Sequence, residues 1–322
     1  GPVIAIGVIV LPILMSLGIP KAIAMFTFMG SVSAGMYLNP VLQFSQLRAF
    51  ICAADEMPEF TFSWYTSHWG IYALIISVVV VSVLTGIYLK LGKKSHAWAA
   101  QAAPKNVQTD APLIALILPI VPVVLKIWLD FSVIGGFVIA GFAALFLCGK
   151  MNKSFKENCQ LVNKLYYDGV VDTAPLVGFL LTLPMFNTCA SYASPYFKEV
   201  LGGIMPTNEL VVCALFAALS ILGFFRGPLT LYGCGAATLG VLSAVGHFSV
   251  PFLFCVFTIP ATTVNVGSCI TQSWIAWGLA YTKVESRDYL KLSIPFAYIC
   301  SILLYVLTAF TVTGLGPEWF LS

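Results

Sequence analysis

The residues with most to offer chemically stand together in an otherwise apolar stretch: Pro260-Ala-Thr262-Thr263-Val-Asn265-Val-Gly267-Ser268, followed by Thr271, Gln272 and Ser273. An amide, several hydroxyls and a glycine at this spacing suit a helix that breaks inside a membrane. Such a break offers side-chain oxygens, free carbonyls and half-helix N–H groups together, a set able to coordinate a carboxylate and a small cation. A similar run, Ser31-Val-Ser33-Ala-Gly35-Met-Tyr-Leu-Asn39-Pro40, lies near the start. The competing reading is that Ser, Thr, Asn and Gly let helices pack closely and hydrogen-bond across their interfaces. Asn39, Asn265, Gly267, Ser268 and Thr271 are the candidates for ligand contact.

Charged groups within the apolar stretches are few. Arg226 precedes Gly227 and Pro228; its guanidinium could clamp an anion through paired hydrogen bonds, or anchor the chain at the headgroups. Gly227 and Pro228 would shape the adjoining turn. Asp172 is a candidate carboxylate for a coupling cation or proton, or an interfacial acid favoured by a helix start. Asn187 and Thr188 lie in the same stretch, 170–195, where Pro175 and Pro184 would expose carbonyls to a coupling ion. Motifs of hydrolases, metalloproteases and phosphate-binding loops are absent, and His68, His96 and His247 lack ligand spacing. The chain is therefore read as a non-enzyme without a resident cofactor or metal. Its nine cysteines are scattered, with no CxxC pair, and read as small packing residues.

The elements that must position these groups are helices in a bilayer. The chain is 59% apolar and 9% charged, with a mean hydropathy of +0.94. Apolar runs cover 3–18, 22–39, 70–92, 111–129, 132–149, 170–195, 207–225, 227–246, 250–282 and 292–314, several of them near the length that crosses a bilayer core. The fold class predicted is all-α: a polytopic membrane protein, one domain over 1–322. Residues 93–110 and 150–168 read as polar loops, and 40–69 as an interfacial region rich in aromatic residues. Lysines in the two loops, with Lys283, Arg287 and Lys291, place these on the cytoplasmic side and 40–69 outside. A net charge of +3 gives no indication of a nucleic-acid partner.

A weak internal repeat organises these runs. Gly1-Pro2-Val-Ile-Ala-Ile-Gly7 and Gly227-Pro228-Leu-Thr-Leu-Tyr-Gly233 share a Gly-Pro-x4-Gly spacing, and the same offset pairs Phe26 with Phe252, Phe28 with Phe254 and Asn39 with Asn265. That is six identities in 39 positions, where chance gives about three. The loop charges put the ends of the two copies, 1–40 and 227–282, on opposite sides, so the repeats are expected to have inverted topology, with re-entrant hairpins and broken helices between which a substrate binds. The first copy begins at residue 1, so the chain is expected to be the C-terminal part of a longer protein.

In this order of interrupted hairpin, broken helix, ordinary spans and inverted copy, the chain resembles the ion transporter superfamily of secondary carriers, and within it the gluconate, citrate and C4-dicarboxylate permeases. Arg226-Gly227-Pro228-Leu-Thr-Leu-Tyr-Gly233, Val264-Asn265-Val-Gly267-Ser268, Gly1-Pro2 and Asn39-Pro40 carry the likeness. The Ser-Asn-Thr triplets of the divalent-anion sodium symporters are not present around Asn39 or Asn265. The resemblance implies a symporter of a small organic anion in a plasma or bacterial inner membrane, driven by Na⁺ or H⁺, with lipid as its surroundings and a homodimer as a compatible assembly. A Na⁺/H⁺ antiporter using Asp172 and a channel-like protein are the alternatives.

Overall fold

The structure is a computed structural model that describes residues 2–52, 57–91, 112–129, 131–152, 154–171, 206–246 and 248–313, together with Met185, Thr188, Cys189, Tyr192, Tyr196 and Glu199. Asp172 and Asn187 lie outside the described residues. Among the described residues every regular element is a helix. In chain order they are α1 (Pro2–Ser16), α2 (Lys21–Met36), a wide π turn Pro40–Ser45 running into α3 (Gln46–Ile51), α4 (Phe62–Leu91), a 3-10 helix Leu113–Ile120 running into α5 (Val121–Leu129), α6 (Val133–Leu147), α7 (155–171), α8 (Glu209–Ala218), a 3-10 helix Ser220–Arg226, α9 (Gly235–Val245), α10 (Val250–Val266), α11 (Ser273–Thr282) and α12 (Ser286–Thr311).

The chain divides into two compact units, residues 1–101 with 183–322, and residues 102–182. In the second, α5 and α6 form the expected hairpin. Gly136 keeps them close, because a Cβ there would stand 3.0 Å from the Pro122 backbone. The polar loop expected over 150–168 is helical from residue 155. A run that alternates Phe155, Cys159, Val162 and Tyr166 with charged residues has helical period, and the reading by polarity alone overlooked it.

The first unit is built around α2, α10 and α12. Polar caps and glycine turns set their ends. Gly18 takes a φ of 82° in the turn after α1, a conformation that costs a glycine least. Asn39 caps the helix that starts at Pro40, Ser249 caps α10 through the Phe252 N–H, and Asn208 caps α8. Pro260 lies inside α10. It supplies no N–H to the ladder, and the helix widens there into a π turn over Pro260–Val266.

Contacts along α2 fix its direction. Gly278 faces Met25 and Met29, the Ser33 hydroxyl donates to the Thr262 carbonyl at 3.1 Å, Tyr37 and Thr263 hydroxyls meet at 2.5 Å, and Phe44 packs on Phe254 at 5.3 Å. From Met25 against Gly278, through Ser33 and Tyr37 against Thr262 and Thr263, to Phe44 against Phe254, the partner moves back along the chain, so residues 25–44 run antiparallel to 254–278. Helix α12 runs beside α2 in the same direction, from Phe296 against Phe26 to Thr308, which accepts from the Trp69 indole. The core between them holds Phe26, Met29, Tyr37, Phe254, Phe257, Phe296 and Tyr305, all fully buried or nearly so.

Fewer helices are long than the apolar runs suggested. Among the described residues, Phe62–Leu91 and Ser286–Thr311 are long and apolar enough to cross a membrane, and Glu209–Ala218 with Ser220–Arg226 would be a third if counted as one span bent by 65°. Glycine and proline cut other runs short: α9 has 11 residues, about 16 Å of rise, against a bilayer core of about 30 Å. The region 40–69 departs from the expected interface as well. Tyr65 and Trp69 lie inside α4 and are fully buried: Phe44 and Phe254 pack on Tyr65, and Tyr37 and Tyr65 on Trp69.

Candidate functional site

Two helices in the first unit begin at interruptions, and both begin on a polar side chain. The first interruption is Tyr37–Asn39, and Asn39 stands at the N-cap of the helix starting at Pro40. The Asn39 amide oxygen accepts from the Val41 and Leu42 N–H groups at 3.0 and 2.8 Å. The second interruption is 267–272, and Gln272 stands at the N-cap of α11. Gln272 is buried but for 8% of its surface, and its side chain makes no cap bond to α11. The positive end of the α11 dipole is thus left without a side-chain cap, whereas that of the Pro40 helix is capped by Asn39.

Arg226 joins them. Its guanidinium donates through Nη1 to the Tyr232 carbonyl at 3.1 Å and through Nη2 to the Gln272 side-chain oxygen at 3.5 Å. The Tyr232 hydroxyl donates to the Leu42 carbonyl at 3.0 Å. A continuous chain of polar contacts therefore runs from Asn39 through Leu42, Tyr232 and Arg226 to Gln272. Arg226 is half-buried, and Thr271 and Ser273, the chain neighbours of its partner Gln272, are exposed. A half-buried guanidinium hydrogen-bonded to the N-cap residue of α11, which leaves that helix start without a side-chain cap, is a geometry that attracts a carboxylate.

The loop that presents Arg226 is strained and tightly knotted. Phe225 and Arg226 are consecutive non-glycine residues with φ of 53° and 60°, a conformation costly for L residues. Residues 227–234 form turns that fold back on the preceding segment: the Cys234 N–H donates to the Arg226 carbonyl at 3.1 Å, and the Thr238 hydroxyl to the Pro228 carbonyl at 2.5 Å. A Cβ on Gly227 would stand 2.1 Å from the Leu222 oxygen, and one on Gly233 2.1 Å from the Arg226 oxygen. Only glycine fits either position. The matching letters at the start of the chain do something else: Pro2 and Gly7 lie in α1.

The remaining candidates divide. Gly267 is a packing residue, since a Cβ there would come within 2.7 Å of the Ser33 Cβ. The carbonyls expected to be free at the break are occupied. Trp274 Nε1 donates to Val266 at 3.3 Å, the Tyr289 hydroxyl to Gly267 at 2.7 Å, and the Ser293 hydroxyl to Ser268 at 3.4 Å. The Ser268 hydroxyl turns back to the Thr263 carbonyl. Thr271 is exposed, its hydroxyl 3.0 Å from the Cys269 sulfur. Thr188 is helical and exposed. Asn265 is different from all of these. It is fully buried, and neither end of its amide has a hydrogen-bond partner among the described residues. It lies within the π turn and before the break, so the chain does not break at Asn265.

Tyr232 and Gln43 belong with this region, and sequence reading did not single them out. The signal for Tyr232 was its place inside the Gly-Pro-x4-Gly run. Gln43 was legible only as an amide three residues after Pro40 in an apolar stretch.

No protein-family model, no curated protein and no solved structure matches this chain.

Proposed function

We propose that this chain is the membrane-embedded core of a secondary active transporter that carries a small organic anion, such as gluconate, citrate or a C4-dicarboxylate, by symport with Na⁺ or H⁺ across a cell membrane. The observation that carries this reading is the polar chain from Asn39 to Gln272 through Arg226. It links the starts of two interrupted helices to one half-buried cation, and an anion held there would meet the uncapped start of α11 directly and the Pro40 helix through Tyr232.

The repeat deepens the reading. Helix α2 and the segment 254–278 run antiparallel and cross where Tyr37 meets Thr263, positions that the repeat offset of 226 residues pairs. Two copies, 1–40 and 227–282, related by inverted topology would cross in this manner near their shared axis. The interruptions at 37–39 and 267–272 would then be the paired broken helices, and alternating access would come from motion of one copy against the other about the Arg226 loop. Asp172 and Asn187 are not needed for anion recognition in this scheme; coupling through them is a separate question for mutagenesis.

Uptake into proteoliposomes tests the function. Purified protein should accumulate at least one radiolabelled organic anion when a Na⁺ or H⁺ gradient is imposed, and collapse of the gradient should abolish accumulation. Absence of uptake for gluconate, citrate and C4-dicarboxylates under every gradient would remove the proposal.

A further inference from the structure

Beside the Arg226 chain lies a seam of buried polar groups whose hydrogen-bonding needs are unmet. Residues 37–44 and 254–263 face each other along it. The seam is pinned at one end by the Tyr37–Thr263 contact and at the other by Phe44 against Phe254. Gln43, Thr258 and Thr262 lie on the two facing stretches between these pins. The Tyr65 ring packs on both Phe44 and Phe254, at 5.5 and 5.1 Å. Its phenolic end reaches Gly70, beside Leu38. All four side chains are at least 99% buried. Among the described residues, the amide oxygen and nitrogen of Gln43, the Tyr65 hydroxyl and both threonine hydroxyls have no partner.

Unmet buried groups of this kind each cost free energy, so a protein that keeps several together gains from something that pairs with them. The chemistry of that partner follows from the inventory. Gln43 needs both a donor and an acceptor, because both ends of its amide are unpaired. A bare metal ion cannot accept from the amide N–H₂, and a carboxylate cannot donate to the amide oxygen. A hydroxyl does both. So does water, and so do the three hydroxyls of the seam towards a hydroxylated ligand.

We infer that Gln43, Tyr65, Thr258 and Thr262 form a hydroxyl-binding subsite next to the Arg226 carboxylate site, so that the anion carried is a hydroxylated carboxylate. Leu42 ties the two together, since it adjoins Gln43 and accepts from Tyr232 in the Arg226 chain. This rests on the proposed function for its biological meaning, but binding can be read without transport. The seam is sealed in this conformation, so entry of a ligand requires residues 37–44 and 254–263 to part. The hydroxyl partner has two sources, substrate and water, and the experiment separates them.

The test is the melting temperature of the purified protein with equal concentrations of gluconate, adipate or hexanoate, six-carbon acids that differ in hydroxyl and carboxylate content. Gluconate should raise the melting temperature, hexanoate should not, and adipate should do so weakly. Gln43→Leu and Thr258→Val should fold normally, with an unchanged or higher melting temperature without ligand, and should weaken gluconate binding at least tenfold. A site built to bond a hydroxyl discriminates strongly against analogues lacking it. Equal stabilisation by all three acids, or a gluconate response unchanged in both variants, would overturn the subsite. No response to any acid together with a lower melting temperature for Gln43→Leu would mean that water alone fills the seam, which also overturns it. Gluconate binding without gradient-driven uptake would retain the subsite and sink the transport proposal instead.

Discussion

The two interrupted helices look alike in sequence and behave differently in the fold. At the first, Asn39 sits at a helix start and spends its amide oxygen on two backbone N–H groups. At the second, Asn265 sits one turn inside the helix, fully buried and unpaired, and the helix start falls to Gln272, which reaches Arg226 instead of capping its own helix. The first interruption is satisfied locally; the second leaves polar capacity unused. The difference teaches that a polar residue type at a matching offset does not fix its job. What its neighbours leave unpaired does.

Glycines give the largest contrast to exploit. Gly227→Ala places a methyl group into the Leu222 carbonyl and should cost about 3 kcal/mol or more, seen as loss of monodisperse protein on size-exclusion chromatography. Gly35→Ala in α2 has no atom within 4 Å of the new Cβ and should be neutral or slightly stabilising. Equal damage from both would contradict the claim that the Arg226 loop is knotted where α2 is open.

The asparagines come next. Asn265→Leu should leave melting temperature level or raised, because it removes an unpaired buried amide, while lowering organic-anion uptake at least tenfold. Asn39→Ala should do the reverse: a loss of about 1 kcal/mol of stability with the cap, and uptake per folded molecule close to wild type. Asn39→Asp should restore that stability. If Asn39→Ala abolished uptake in fully folded protein, Asn39 would be a ligand rather than a cap.

The smallest effect concerns the crossing itself. Tyr37→Phe and Thr263→Val should each cost about 1 kcal/mol, and the double variant should cost less than their sum, since both remove the same bond. Strict additivity in denaturant melts would show that the two hydroxyls do not act as a pair.

Much of this architecture was legible beforehand, and the reasons for the remainder are physical. Low charge and long apolar runs gave helices, and Gly18, Asn39-Pro40 and the stretch after Pro260 marked real interruptions. The job of each asparagine was not legible: Asn39 stands at a helix start, while Asn265 falls inside the π turn Pro260–Val266 and Gln272 stands at the next helix start. Composition carries no trace of a widened turn, so a shared residue type could not reveal the difference. The Gly-Pro-x4-Gly spacing failed for a similar reason: whether it makes turns or helix depends on carbonyls at Leu222 and Arg226, and the spacing itself does not record them.

The central claim is that both interrupted helices serve one anion through Arg226. Gradient-driven uptake of a labelled organic anion into proteoliposomes, compared between wild type, Arg226→Lys and Arg226→Ala at matched amounts of folded protein, tests it most directly. The account predicts robust uptake by wild type, a reduced rate with raised KM for Arg226→Lys, whose single ammonium cannot reproduce the paired guanidinium contacts, and none for Arg226→Ala. Wild-type uptake that persists undiminished in Arg226→Ala would contradict it.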